Sequence, residues 1–212
     1  MHLPVVFLIL AGLTVAGARC LRGVWAQPPR LQRQPGAGVP DRISLVATDH
    51  AWERPEITQP LLDGLAAEGV VDAGTYAVAP LPGVFLKLLV HSADKIAANV
   101  YDHRAAGSWL ELVSRCADGT TLCVTGHAAT GLSALPGHQT IHDPGASVAS
   151  LVARLRAERP PGELIGATID NAVGLFEDGY ASLAAERKTR GLTQGEIARV
   201  AARRPQKRTA QR

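Results

Sequence analysis

Five stretches rich in β-branched and apolar residues, VVDAGTYAVA, VFLKLLVHS, KIAANVYDH, SWLELVSRC and TTLCVTG, follow one another between residues 70 and 126. Turn residues separate them about every ten positions, the rhythm of an antiparallel meander. PLPG, SADK and RAAG connect successive stretches and are short enough for hairpins. Ahead of them, PEITQPLLDGLAAE (55–68) sets Ile57, Leu61, Leu62 and Leu65 at helical spacing, and Gly69 stands where a helix stop belongs. Behind them, GHAATGLSALPGHQTIHDPGA (126–146) reads as a long loop with one short strand at QTIH. Ser147 then caps a helix VASLVARLRAE that Pro160 and Pro161 end. A longer helix follows from about Thr168 to Lys188, where Ile169, Val173, Phe176, Tyr180, Leu183 and Ala184 form a stripe that should cover a sheet face. These elements predict an α+β fold: an antiparallel sheet of about five meander strands, with a helix before it and two to three helices after it.

The hairpin SWLELVSRCADGTTLCVTG allows two registers. With Asp118 and Gly119 alone as the turn, Leu110 and Leu112 would share a face with Thr121, Cys123 and Thr125. With Ala117, Asp118 and Gly119 as a type I turn and Gly119 in the left-handed region, Cys116 pairs with Thr120. Leu110, Leu112, Cys116, Leu122 and Val124 then form one apolar face. Trp109, Glu111, Val113, Arg115, Thr121, Cys123 and Thr125 form the other. The second register separates apolar from polar positions better and is the one expected. It puts Cys116 and Cys123 on opposite faces, where no disulfide can join them.

The chain opens with an apolar run, MHLPVVFLILAGLTVAGARC. Its length suits a signal peptide with an A-x-A site at Ala16 to Ala18, while the arginines after it, Arg19, Arg22, Arg30 and Arg33, suit a retained anchor with the domain in the cytoplasm. The anchor is the leading expectation and export after cleavage near Ala18 the alternative. The expected organisation is an apolar segment at 1–20, a Pro/Gly/Arg linker at 21–42, an α+β domain at 43–190, and a short helix with a basic tail at 191–212.

Charge sharpens this division. Residues 1–42 carry five Arg and one Asp, a balance of +4; residues 186–212 carry nine Lys or Arg and two Glu, a balance of +7; the body between them stands at −8. An acidic body between basic ends disfavours a folded face that tracks nucleic acid, and favours ends that touch an anionic membrane surface.

Candidate chemistry is sparse. Three cysteines without a C-x-x-C pair make neither a disulfide framework nor a zinc or redox motif. His127, His138 and His142 sit in or beside the long loop, but Pro136, Gly137 and Pro144 bracket His138 and His142, so their spacing lacks the helical meaning a metal pair would need. Asp49–His50, Asp102–His103 and His142–Asp143 are sequence neighbours, which rarely face one substrate together. No nucleophile-elbow, phosphate-loop or dinucleotide pattern accompanies them, and no catalytic residue, metal ligand or cofactor is assigned.

Near the end, GLTQGEIARVAARR (191–204) resembles the opening of a helix-turn-helix. Thr193 and Glu196 also make a capping box. The residues after it, RRPQKRTAQR, have no apolar periodicity for a recognition helix, so a short capped helix running into a basic tail is expected. For binding, the residues singled out are Trp109, Glu111 and Arg115, an aromatic and opposite charges on one strand face that would be open if helices covered only the leucine face. Taken together, these features favour a membrane-associated α+β binding or interaction domain. The alternatives are a hydrolase-like enzyme using loop 126–146 with His127, His138 or His142, and nucleic-acid binding by the basic tail.

Overall fold

The computed structural model describes residues 40–104 and 106–202, so the apolar opening, most of the linker and the basic tail lie outside the described residues. The meander forms β2 (Val71–Ala79), β3 (Val84–His91), β4 (Ile96–His103), β5 (Gly107–Arg115) and β6 (Thr121–Thr125). Two further strands extend it to seven, in sequential order: β1 (Ser44–Ala47) pairs antiparallel with β2, and β7 (His138–His142) pairs parallel with β6. The parallel pair is possible because residues 126–137 are long enough to carry the chain back along the sheet.

The β5–β6 hairpin adopts the register expected from side-chain segregation. Cys116 N donates to Thr120 O at 2.8 Å, Gly119 N donates to Cys116 O at 3.0 Å, and Gly119 sits at φ +94°. A residue with a side chain would be strained there. Leu112 then faces Val124 and Val113 faces Cys123, and Cys116 and Cys123 are both free and buried.

Four helices complete the described fold: α1 (Pro55–Ala67), α2 (Val148–Glu158), α3 (Ala172–Arg190) and α4 (Gln194–Ala202). Pro55 begins α1, where its missing N–H costs nothing, and the Ser147 hydroxyl caps α2 by accepting from Ser150 N at 3.2 Å. Helices α1 and α2 lie on the leucine face. There Leu65, Val148, Leu151, Val152 and Leu155 pack with Leu110, Leu112, Leu122 and Val124. Gly64 permits the close approach of these two helices, since a Cβ on it would stand 2.8 Å from Val148 Cγ2.

Helix α3 covers the opposite face. Its Phe176, Tyr180, Leu183 and Ala184 pack with Tyr101, Trp109, Val113 and Cys123. Both sheet faces are therefore covered, and the condition for an open Trp109 face is not met. Among the described residues, no helix is long and apolar enough to cross a membrane.

Candidate functional site

Strand alternation and register gather polar side chains beneath α3. Tyr101 stands opposite Trp109, Asn99 opposite Glu111, and Ala97 opposite Val113. One end of this strip is closed and aromatic: the Tyr101 and Trp109 rings stack with centroids 4.6 Å apart, and His127 meets the edge of Trp109 at 5.1 Å. Glu111 lies inside this closed end with no solvent exposure, and neither carboxyl oxygen has a partner of full hydrogen-bond geometry. Burial pushes its carboxyl up to about 8, with nearby Trp109 and Tyr101 opposing part of the rise. Glu111 is therefore a neutral acid at pH 7. Burial likewise raises the Tyr101 hydroxyl and the Cys123 thiol, so the closed end carries no anion at neutral pH.

The other end opens into a cleft enclosing about 620 Å³ between sheet and α3, its mouth included. Leu88, Ala97, Asn99, Val113 and Arg115 form its floor; Ala172, Leu175, Phe176, Gly179 and Tyr180 of α3 form its roof. The segment Ile165 to Ala167 contributes its end wall, with Lys95 beside it. Backbone bonds fix that wall to the sheet: Ile165 N donates to Arg115 O and Ala117 N to Glu163 O, each at 2.8 Å. The Lys95 ammonium reinforces it by donating to Leu164 O at 2.9 Å.

Arg115 is the half-buried charge of the cleft. Its Nε has no hydrogen-bond partner, and among the described residues no carboxylate lies within ion-pair distance of it. Burial pushes its guanidinium down to about 10, against a weaker pull upward from Asp178. The buried Tyr180 hydroxyl also lacks a partner. Of the three residues singled out in the sequence, Arg115 lines the cleft, Glu111 stands behind Asn99 next to it, and Trp109, 4% exposed, belongs to the aromatic end.

The loop histidines do not converge. His127 Nδ1 donates to Ala128 O at 2.7 Å and His142 Nδ1 to His127 O at 2.9 Å. His138 lies at the far end of β7, against the Thr121 hydroxyl and 4.0 Å from a Glu186 oxygen. Burial lowers the pKa of both His127 and His138. Among the described residues, no group of three His, Cys, Asp or Glu side chains is placed to hold a metal ion.

A His–Asp pair that the sequence did not suggest forms across the fold. Asp102, 2% exposed, accepts from His50 Nε2 at 3.1 Å, Ser108 Oγ at 3.1 Å and Glu53 N at 2.7 Å. The His50 ring in turn stacks on Phe85 at 3.5 Å. The Ser108 hydroxyl is committed to Asp102, so this cluster anchors the β1–α1 connection to the sheet.

Asn99, Lys95, Phe176 and Tyr180 are cleft residues that the sequence did not mark as binding positions. They come from separate elements, and their only sequence signal is alternation on β4 and the apolar stripe of α3. No known protein family, curated protein or solved structure matches this chain.

Proposed function

We propose that the domain is a binding module that takes a small molecule into the cleft between the sheet and α3. The carrying observation is the cleft itself: apolar walls from both layers surround a half-buried guanidinium that, among the described residues, has no carboxylate within ion-pair distance. A pocket that is mostly apolar with a few convergent polar groups is the usual form of a small-molecule site. The hydrolase alternative gains no support from His127 or His142, whose Nδ1 atoms face backbone carbonyls, or from His138, which faces Thr121.

A second part of the proposal concerns location. Basic ends of +4 and +7 around a body of −8, with the apolar opening at 1–20, support a tether to an anionic membrane surface. Fractionation with intact-mass measurement tests it: membrane retention at full mass is expected, and a soluble product beginning at Arg19 would refute it.

The binding test is a thermal-shift screen of small amphipathic compounds against the full chain and an Ala97→Phe variant, which fills the cleft floor. Ligands are expected to stabilise the wild type and not the variant. Equal stabilisation of both would sink the assignment to this cleft.

A further inference from the structure

We infer that the cleft selects a small amphipathic anion, a monocarboxylate or a ligand of equivalent charge, with its anionic end at Arg115 and its apolar body between Val113, Leu175 and Phe176. The inference rests on the binding reading above and adds the chemical class of the ligand.

Its basis is the polar inventory of the cleft. Among the described residues, the ionisable and amide side chains on its walls are Arg115, Lys95, Asn99 and Tyr180, and no carboxylate lines it. Lys95 is exposed at the wall, where water solvates its charge, and it donates to Leu164 O; Arg115 is the partly desolvated cation, with no carboxylate within ion-pair distance among the described residues. A guanidinium loses solvation on burial, and the planar fork it presents fits a carboxylate. The surrounding charges agree. Asp178, on the exposed side of α3, is not within ion-pair distance of Arg115. Glu111 lies on the same strand face, beyond Val113, and it is held as the neutral acid. The one acid that alternation directs towards the cleft therefore adds no negative charge that would repel an anion. Apolar side chains fill the remaining wall, so a purely polar anion such as phosphate would leave them uncovered.

The experiment titrates octanoate, octanol and octylammonium, below their micellar concentrations, into the full chain at pH 7 by calorimetry. Octanoate is expected to bind about tenfold or more tightly than octanol, and octylammonium more weakly than either. Arg115→Gln should erase the preference for octanoate, with octanoate losing at least about tenfold more affinity than octanol, while Arg115→Lys should retain part of it. Octanol binding as tightly as octanoate, or an undiminished preference in Arg115→Gln, overturns the ligand class and leaves the binding reading standing. Absence of binding by all three probes overturns both. Should Arg115→Gln fail to fold, the wild-type comparison together with Arg115→Lys still decides.

Discussion

The Arg187 guanidinium on α3 donates to the Glu196 carboxylate on α4 at 2.9 Å, and Glu196 has no solvent exposure. The same carboxylate accepts from Ser133 N at 2.9 Å and from Thr193 N at 2.8 Å, while Arg187 also donates to Ser133 O at 2.8 Å. The capping box read in the sequence is present, and its acid does more than cap: it ties the loop 126–137 to both C-terminal helices. Arg199 extends the tie through Gly131 O at 2.9 Å and Ser133 Oγ at 2.8 Å.

Truncating Glu196 to Ala should cost about 3 kcal/mol in urea unfolding, because it removes the buried carboxylate that joins Arg187, Thr193 and Ser133. Burial raises the Glu196 carboxyl, but the Thr193, Ser133 and Arg187 bonds outweigh it and hold the group at about 2. Its folded value lies below the ordinary 4.5, so its contribution is present above that pH and is lost as pH falls towards 2. Acid unfolding of Glu196→Gln should therefore show a shallower pH dependence than that of the wild type. Equal acid slopes would count against the clasp.

Glu111 has the opposite sign. Between pH 4.5 and about 8 the folded chain holds a proton that the unfolded chain has released. Stability should fall as pH rises through that window, by about 1.4 kcal/mol per unit from this group. Glu111→Gln keeps the shape of the neutral acid and removes the titration. In urea unfolding at pH 5, 6, 7 and 8, the variant should gain on the wild type steadily and exceed it at pH 8. A constant difference between the two proteins would mean that Glu111 is ionised when folded.

The hairpins were legible in the sequence because their physics is local: short turns, alternating side chains and a glycine where the left-handed conformation is required. The register of β5 and β6 followed from face segregation alone. What the sequence did not show depends on contacts between distant segments. Strand β1 is four residues long and mostly exposed, too short to carry a pattern, and its partner β2 lies beyond α1. QTIH was visible as a strand, but its parallel pairing depends on how loop 126–137 crosses over. The stripe on α3 showed that it would cover a face without saying which, so the Trp109 strip could be read as open. Glu111 resembled a solvent-facing charge because a carboxyl buried in its neutral form has the same letter as an exposed one. Arg115 was identified in the sequence, but its cleft required α3 and the wall at 165–167 to assemble around it.

Asp102 supports a third prediction, on the other sheet face. Asp102→Ala should destabilise by about 3 kcal/mol, since it leaves the Glu53 N–H and the His50 ring without their acceptor. Ser108→Ala removes one hydroxyl donor from the same carboxylate and should cost about 1 kcal/mol. The two effects should not add in the double variant, because the serine bond no longer exists once Asp102 is gone. Strict additivity in urea unfolding would show that Ser108 contributes through some other contact.

Gly179 supplies the prediction that separates stability from binding. It lies inside α3, where glycine is about 1 kcal/mol less favourable than alanine, yet it is buried and forms part of the cleft roof. Gly179→Ala improves helix propensity and adds a methyl group to the roof. If the residue serves to leave space for a ligand, the melting temperature should stay level or rise by up to about 4 °C, while the affinity for octanoate falls severalfold. The opposing directions matter, because a variant that merely damaged the fold would lose both. A rise in melting temperature with affinity unchanged would show that the bound molecule does not reach α3 at this turn.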